Sequence, residues 1–303
     1  SVKWVIGGSV PAEYADIELV ESDPKKIDAD IVFSALPTEA ARELEPEFAK
    51  EGFAVVSKAA AYRLDERVPL VVPEVNPEHL QLLEAQRGLW DGLFVTDPNC
   101  TTTILALPLK PIADAYGIRR VVVTTLQAAS GAGYPGVPSL DLIDNVLPFI
   151  PGEEEKVRDE LLKIMGTARG GKVEWARFEV AATCTRVPVL DGHLECVYVE
   201  TEEPVDLGEA VELMRGFRGR PQGLKLPTAP DAPLVVVEGE DRPQPRLDRM
   251  AGSVPGMSVA VGRVRRGPSE RSLMFLALGH NLVRGAAGSA LLLAELLIAE
   301  GYV

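Results

Sequence analysis

Between Asp30 and Cys100 short apolar runs alternate with helical stretches, and few architectures accept that order. Asp30–Leu36 and Phe53–Ser57 read as buried strands with a helix, Thr38–Glu51, between them. Pro77–Gln86 reads as another short helix, and Leu93–Thr96 as a strand that runs into the Pro98-Asn99-Cys100 turn. Strands separated by helices form a parallel sheet, because each return to the same edge needs a crossover. Pro46 lacks the amide that bonds four residues back, so the spacing predicts a kink or split in its helix. After Val121 the rhythm changes. Val121–Thr125, Phe178–Cys184, Glu195–Thr201, Leu234–Glu238, Met257–Arg265 and Ser272–Leu278 predict a broad mixed or antiparallel sheet, covered by helical patterns at Glu153–Met165 and Leu207–Phe217. A long apolar helix, Asn281–Ala299, closes the sequence.

Such a chain has the material for two cores: 303 residues, 46% of them hydrophobic. A net charge of −14 opposes association with polyphosphate, so general nucleic-acid binding is excluded and any anionic substrate must meet locally placed cations. No apolar stretch reaches the roughly 18 to 20 residues that cross a bilayer, and no signal-peptide pattern is visible, which makes the cytoplasm the expected compartment and a membrane no partner. Three cysteines cannot all pair and show no metal-ligand spacing. No metal is expected. Cys184 and Cys196 lie in strand-like apolar runs and read as core residues.

Cys100 differs from the other two. A turn pair precedes it and Thr101-Thr102-Thr103 and an apolar helical run follow, which places the thiol at a helix N-terminus where unpaired N–H groups favour a thiolate. On position alone a small buried residue is the commoner reading. A thiol nucleophile needs a base near neutrality, and His193, in Arg186-Val187-Pro188-Val189-Leu190-Asp191-Gly192-His193, has the most polar company of the three histidines. His79 reads as the first turn of an exposed helix, and His280 as a loop-to-helix junction. Between the two motifs, Gln127-Ala128-Ala129-Ser130-Gly131-Ala132-Gly133 leaves a strand as a glycine-rich loop, either an ordinary long loop or one whose backbone approaches a ligand.

These residues together resemble the aspartate-semialdehyde dehydrogenase family, most closely its archaeal and fungal branch. The resemblance runs in order through Phe33-Ser34-Ala35-Leu36-Pro37, Pro73-Glu74-Val75-Asn76, Pro98-Asn99-Cys100-Thr101-Thr102, Gln127 to Ser139, Asp144-Asn145-Val146, Glu153-Glu154-Glu155-Lys156, Arg186 to His193, Arg242-Pro243-Gln244-Pro245-Arg246 and Asn281 to Gly288. It implies an α/β fold: a Rossmann-type parallel-sheet nucleotide-binding domain from 1–98 and 281–303, and an α+β catalytic and dimerisation domain with a large mixed sheet from 99–280. It also implies that the sequence opens past the family's first βαβ unit and its G-x-x-G-x-x-G turn, since no helical pattern follows Gly7-Gly8-Ser9.

The implied activity is NADPH-dependent reductive dephosphorylation of β-aspartyl phosphate through a cysteine thioester. Cys100 is the implied nucleophile, His193 the acid/base, and Gln127 the residue that orients substrate. Arg186 grips the substrate carboxylate, Glu153 its ammonium group, and Arg63, Asn99 and Lys156 its phosphate. Without the resemblance, Glu153 and Lys156 read as a solvated helix start and Arg63 as a surface charge. NADP contacts fall on Ser34, Leu36 and Pro37, on Ser130, Gly131 and Gly133, and on Asn281 and Gly285; NADP against NAD is open on the residues. A homodimer or a dimer of dimers is the implied assembly. Malonyl-CoA reductase, which shares the cysteine and histidine, is the alternative enzyme, and a non-catalytic binding subunit the alternative of another class.

Overall fold

The computed structural model describes residues 9–303, and the reading of Gly7 and Gly8 lies outside them. Strands β1 (Ile31–Ser34), β2 (Ala54–Ser57) and β3 (Leu93–Thr96) form a parallel sheet in that order. Every residue of β2 is buried, because alternate side chains go to opposite faces and both faces are covered. Val56 and Val95 pack with Leu292, Leu293 and Leu296 of the last helix, Gly288–Ala299. Val55 and Phe94 pack on the other side with Phe48 and Ala49 of the helix Thr38–Lys50.

That helix is not split at Pro46. A proline frees the carbonyl four residues back, here that of Arg42, and the Tyr62 hydroxyl donates to it at 2.7 Å. The loss is thereby made good. His79 differs from its expectation: it is fully buried, not exposed. Its Nε2 donates to the Gly166 carbonyl at 3.2 Å and its Nδ1 accepts from Asn76 Nδ2 at 3.0 Å. Burial lowers its pKa to about 4, so it is a neutral structural pin.

The second sheet contains β4 (Arg120–Gln127), β7 (Glu179–Arg186), β8 (His193–Glu200), β9 (Leu234–Val236), β10 (Val259–Arg266) and β11 (Ser272–Gly279) in the order β7-β4-β8-β11-β10-β9; a small hairpin, β5 (Thr167–Arg169) with β6 (Lys172–Glu174), stands apart. Pairs β4/β7 and β9/β10 are parallel and the others antiparallel. The sheet is therefore mixed. Its inner face packs Val121, Val123, Val197, Val199 and Phe275 against the helices Cys100–Tyr116, Glu153–Ile164 and Leu207–Gly216. Cys184 is in that core, but Cys196 is not: strict alternation along β8 turns 193, 195, 197 and 199 inward and leaves Cys196 exposed on the outer face.

Register places the inner-face residues in transverse rows. Gln127 lies opposite Arg186, Leu126 opposite Leu194, and Gly279 opposite His193. Arg186, Gln127, His193 and Gly279 thus form one row at the end of the sheet, and Cys184, Thr125, Glu195 and Ala277 form the row beneath it. The Cys100–Tyr116 helix crosses this end so closely that a Cβ on Gly279 would stand 2.5 Å from Ile104 Cγ1. Only glycine fits there.

Candidate active site

Cys100 is the first residue of its helix. Asn99 caps that helix, its Oδ1 accepting from the N–H groups of Thr101 at 2.9 Å and Thr102 at 3.3 Å, which fixes the angle at which the thiol leaves the turn. Cys100 Sγ lies 3.4 Å from His193 Nε2. On the far side of the ring, the backbone N–H of Ala128 donates to His193 Nδ1 at 3.1 Å. A backbone amide can only donate, so Nδ1 holds a lone pair and Nε2 holds the proton, pointed at sulfur. Burial, then Arg186 and His280, lowers the His193 pKa to about 3. Burial, with Glu153 behind it, pushes the Cys100 thiol up to about 11, while Lys58 and Arg63 pull the other way. At neutral pH the free site holds a thiol beside a neutral imidazole.

Glu153, expected on composition to be solvated, is buried and faces the same space. Its Oε1 accepts from Asn99 Nδ2 at 2.9 Å and from Gln127 Nε2 at 3.2 Å, which ties the cap, the glutamine and the carboxylate together. Lys156 stands at the more open rim, 3.7 Å from Glu153 Oε2. Arg186 is buried, with Nη1 donating to the Ala128 carbonyl at 2.8 Å; burial lowers its pKa, with Glu153 and Cys100 opposing. A Cβ on Gly131 would meet His193 Cε1 at 2.8 Å and Arg186 Nη1 at 2.9 Å, so the loop passes over both side chains only because it lacks one. Arg63 is no surface charge: it is buried and paired with Glu160 at 2.9 Å, and despite burial that partner keeps it firmly protonated.

Sequence reasoning missed Lys58, Glu160, Lys163 and Glu195. Lys58 Nζ pairs with buried Asp97 and donates to the carbonyls of Pro98 at 2.9 Å and Gly285 at 3.0 Å, joining the turn before Cys100 to the last helical segment. That segment starts with a widened turn, Gly285 N–H reaching His280 and Ala287 N–H reaching Leu282. The buried Arg284–Glu74 pair anchors it, with Nη1 2.9 Å from Oε1. Gly285 then abuts Cys100, since a Cβ there would stand 2.5 Å from Cys100 Cβ.

Residues 4–83 match the family model described as semialdehyde dehydrogenase, NAD binding domain, and residues 109–284 the one described as semialdehyde dehydrogenase, dimerisation domain. An aspartate-semialdehyde dehydrogenase of Archaeoglobus fulgidus is 55% identical over 305 residues, an alignment that spans 100% of this chain and 86% of the relative. The chain belongs to the aspartate-semialdehyde dehydrogenase family. Malonyl CoA reductase (NADP) of Metallosphaera sedula is 44% identical over 307 residues, spanning 100% of this chain and 86% of its own. The crystal structure of aspartate semialdehyde dehydrogenase with NADP from Candida albicans matches with a TM-score of 0.91 at 36% identity, over 99% of this chain and 87% of that one.

The dehydrogenase residues here fit a dinucleotide. Ser34 is the last residue of β1, and Leu36 and Pro37 follow at the carboxyl end of that parallel strand. Lys58, one residue beyond β2, donates its N–H to the Ser34 carbonyl at 2.8 Å and its ammonium to Gly285, so this edge leads directly to Cys100. Asn281 Nδ2 donates to Ser130 Oγ at 2.9 Å and its Oδ1 accepts from Gly192 N–H at 2.8 Å, joining the glycine loop to the histidine loop. Gly133 takes a φ of 70° just beyond.

Proposed function

We propose that this chain reduces β-aspartyl phosphate to aspartate semialdehyde with NADPH, releasing phosphate, a step of lysine, threonine and methionine biosynthesis. The observation that carries it is the 3.4 Å approach of Cys100 Sγ to His193 Nε2 within one row that also holds Arg186 and Gln127. Cys100 gives up its thiol proton to solvent and, as thiolate, attacks the acyl carbon; the C–O bond to phosphate breaks, phosphate departs, and a thioester remains on sulfur. When bound, NADPH supplies the hydride that reduces this thioester. His193 Nε2–H donates to the sulfur or oxygen that carries negative charge and exchanges its proton there. Gln127 and the helix N-terminus orient the carbonyl oxygen.

Arg186 binds the substrate carboxylate in a bidentate fork, and Glu153 takes its ammonium group. Arg63, Asn99 and Lys156 form the phosphate side. Ser34, Leu36, Pro37, Ser130, Gly131, Gly133, Asn281 and Gly285 line the NADP site. We further assign 1–98 with 281–303 to the nucleotide-binding domain and 99–280 to the catalytic and dimerisation domain, in a cytoplasmic enzyme that forms a dimer or a dimer of dimers. The deciding experiment follows NADPH formation from aspartate semialdehyde, NADP and phosphate, against NADPH consumption with malonyl-CoA. Turnover only with malonyl-CoA overturns this reading, because malonyl-CoA has no ammonium to engage the buried Glu153 carboxylate.

A further inference from the structure

The helix Glu153–Ile164 carries charge on the side that faces the protein. Glu153, Glu160 and Lys163 are buried beside Val157, Leu161 and Ile164, and a seven-residue step returns an α-helix to nearly the same face. Glu160, 2% exposed, uses both oxygens. Its Oε2 accepts the backbone N–H of Asn99 at 2.6 Å, and its Oε1 accepts Nη1 of Arg63 at 2.9 Å. Arg63 Nη2 donates to the Lys58 carbonyl at 2.6 Å, and the carbonyls of Arg63, Asp65 and Val68 each accept from Lys163 Nζ at 2.8 Å. One helix therefore grips Asn99 twice, by its backbone through Glu160 and by its side chain through Glu153, and grips the Arg63 loop twice as well.

An ion pair this deep adds little net stability, since desolvation of both charges offsets their attraction. Its contribution is geometric. We infer that Glu160 is a positioning residue: by locking the Arg63 guanidinium to the backbone at Asn99, it fixes the phosphate side of the site relative to the Cys100 thiol. This rests on the reading above, in which Arg63 and Asn99 meet the phosphate. Arg63 Nε has no partner among the described residues, so the clamp leaves part of the donor fork for an anion.

The test is Glu160→Gln in the NADP-bound protein, run toward aspartyl phosphate. Glutamine keeps an acceptor for the Asn99 N–H but sets an amide NH₂ against Arg63. The KM for inorganic phosphate is expected to rise at least about tenfold, with a smaller fall in kcat. Arg63→Met combined with Glu160→Gln should be no worse than Arg63→Met alone, whereas a glutamate that acts independently of Arg63 gives additive losses. Should the glutamine variant fail to fold, Glu160→Asp, with the charge on a shorter arm, is read the same way. A phosphate KM within about twofold of the unaltered protein, or additive losses, overturns the proposal. If the unaltered protein shows no phosphate-dependent turnover, the aspartyl-phosphate reading is what fails. Glu160 is then judged by iodoacetamide alkylation of Cys100, expected to change at least about threefold in Glu160→Gln, and an unchanged rate overturns the positioning role.

Discussion

At the scale of single residues, burial keeps both members of the Cys100–His193 pair neutral. Because burial and Glu153 hold the Cys100 thiol near 11, its alkylation by iodoacetamide should rise about tenfold per pH unit from 7 to 9.5; a plateau below pH 8 would mean that the free protein already holds a thiolate. Cys100→Ala should abolish acyl transfer while shifting stability by no more than about 1 kcal/mol, read by thermal melting. Glu195 lies in the row beneath His193, fully buried, with neither oxygen partnered among the described residues, and burial raises its pKa well above 4.5. Above pH 4.5 the unfolded chain releases this proton and the folded one keeps it, so stability falls as pH rises. Glu195→Gln should therefore melt higher than the parent at pH 8, by at least about 1 kcal/mol, with the gain shrinking toward pH 5; parallel profiles would refute it. Cys100 and His193 were legible in the sequence because each sits among turn and polar residues. Glu160, Glu195 and Lys163 were not, because amphipathic patterning reads charge as outward-facing, and only the register and helix packing show these three turned in.

At the scale of elements, the core strands were legible nearly to their ends, since β-alternation and apolar runs reflect the same burial that forms them. What escaped was tertiary compensation. Nothing local to Pro46 shows that Tyr62 satisfies the freed carbonyl, and three-residue strands such as β5 and β6 are too short to carry a period. The widened turn before the last helix is likewise explained by its contacts, for it presents Gly285 to Cys100 while Arg284 is held by Glu74. Gly285→Ala should lower kcat at least about tenfold and cost roughly 1 to 3 kcal/mol, because its methyl meets the Cβ of Cys100. Gly223→Ala, where a Cβ would meet nothing within 4 Å, is the control and should leave both unchanged.

At the scale of the whole molecule, the six-stranded sheet has one face on the core and one facing outward with Val122, Cys196 and Tyr198. The family model matched over 109–284 is described as a dimerisation domain, and light scattering should give about twice 32.6 kDa. Val122→Glu should return the mass to that of one chain. Inner-face and outer-face residues are sequence neighbours along these strands: Gln127 beside Leu126, His193 beside Leu194. Gain or loss of one residue within β4 or β8 would exchange the two sets, sending the imidazole to the outer face and a leucine to the thiol. These strands can tolerate indels only in twos, so their lengths are under a parity constraint that no substitution can relax.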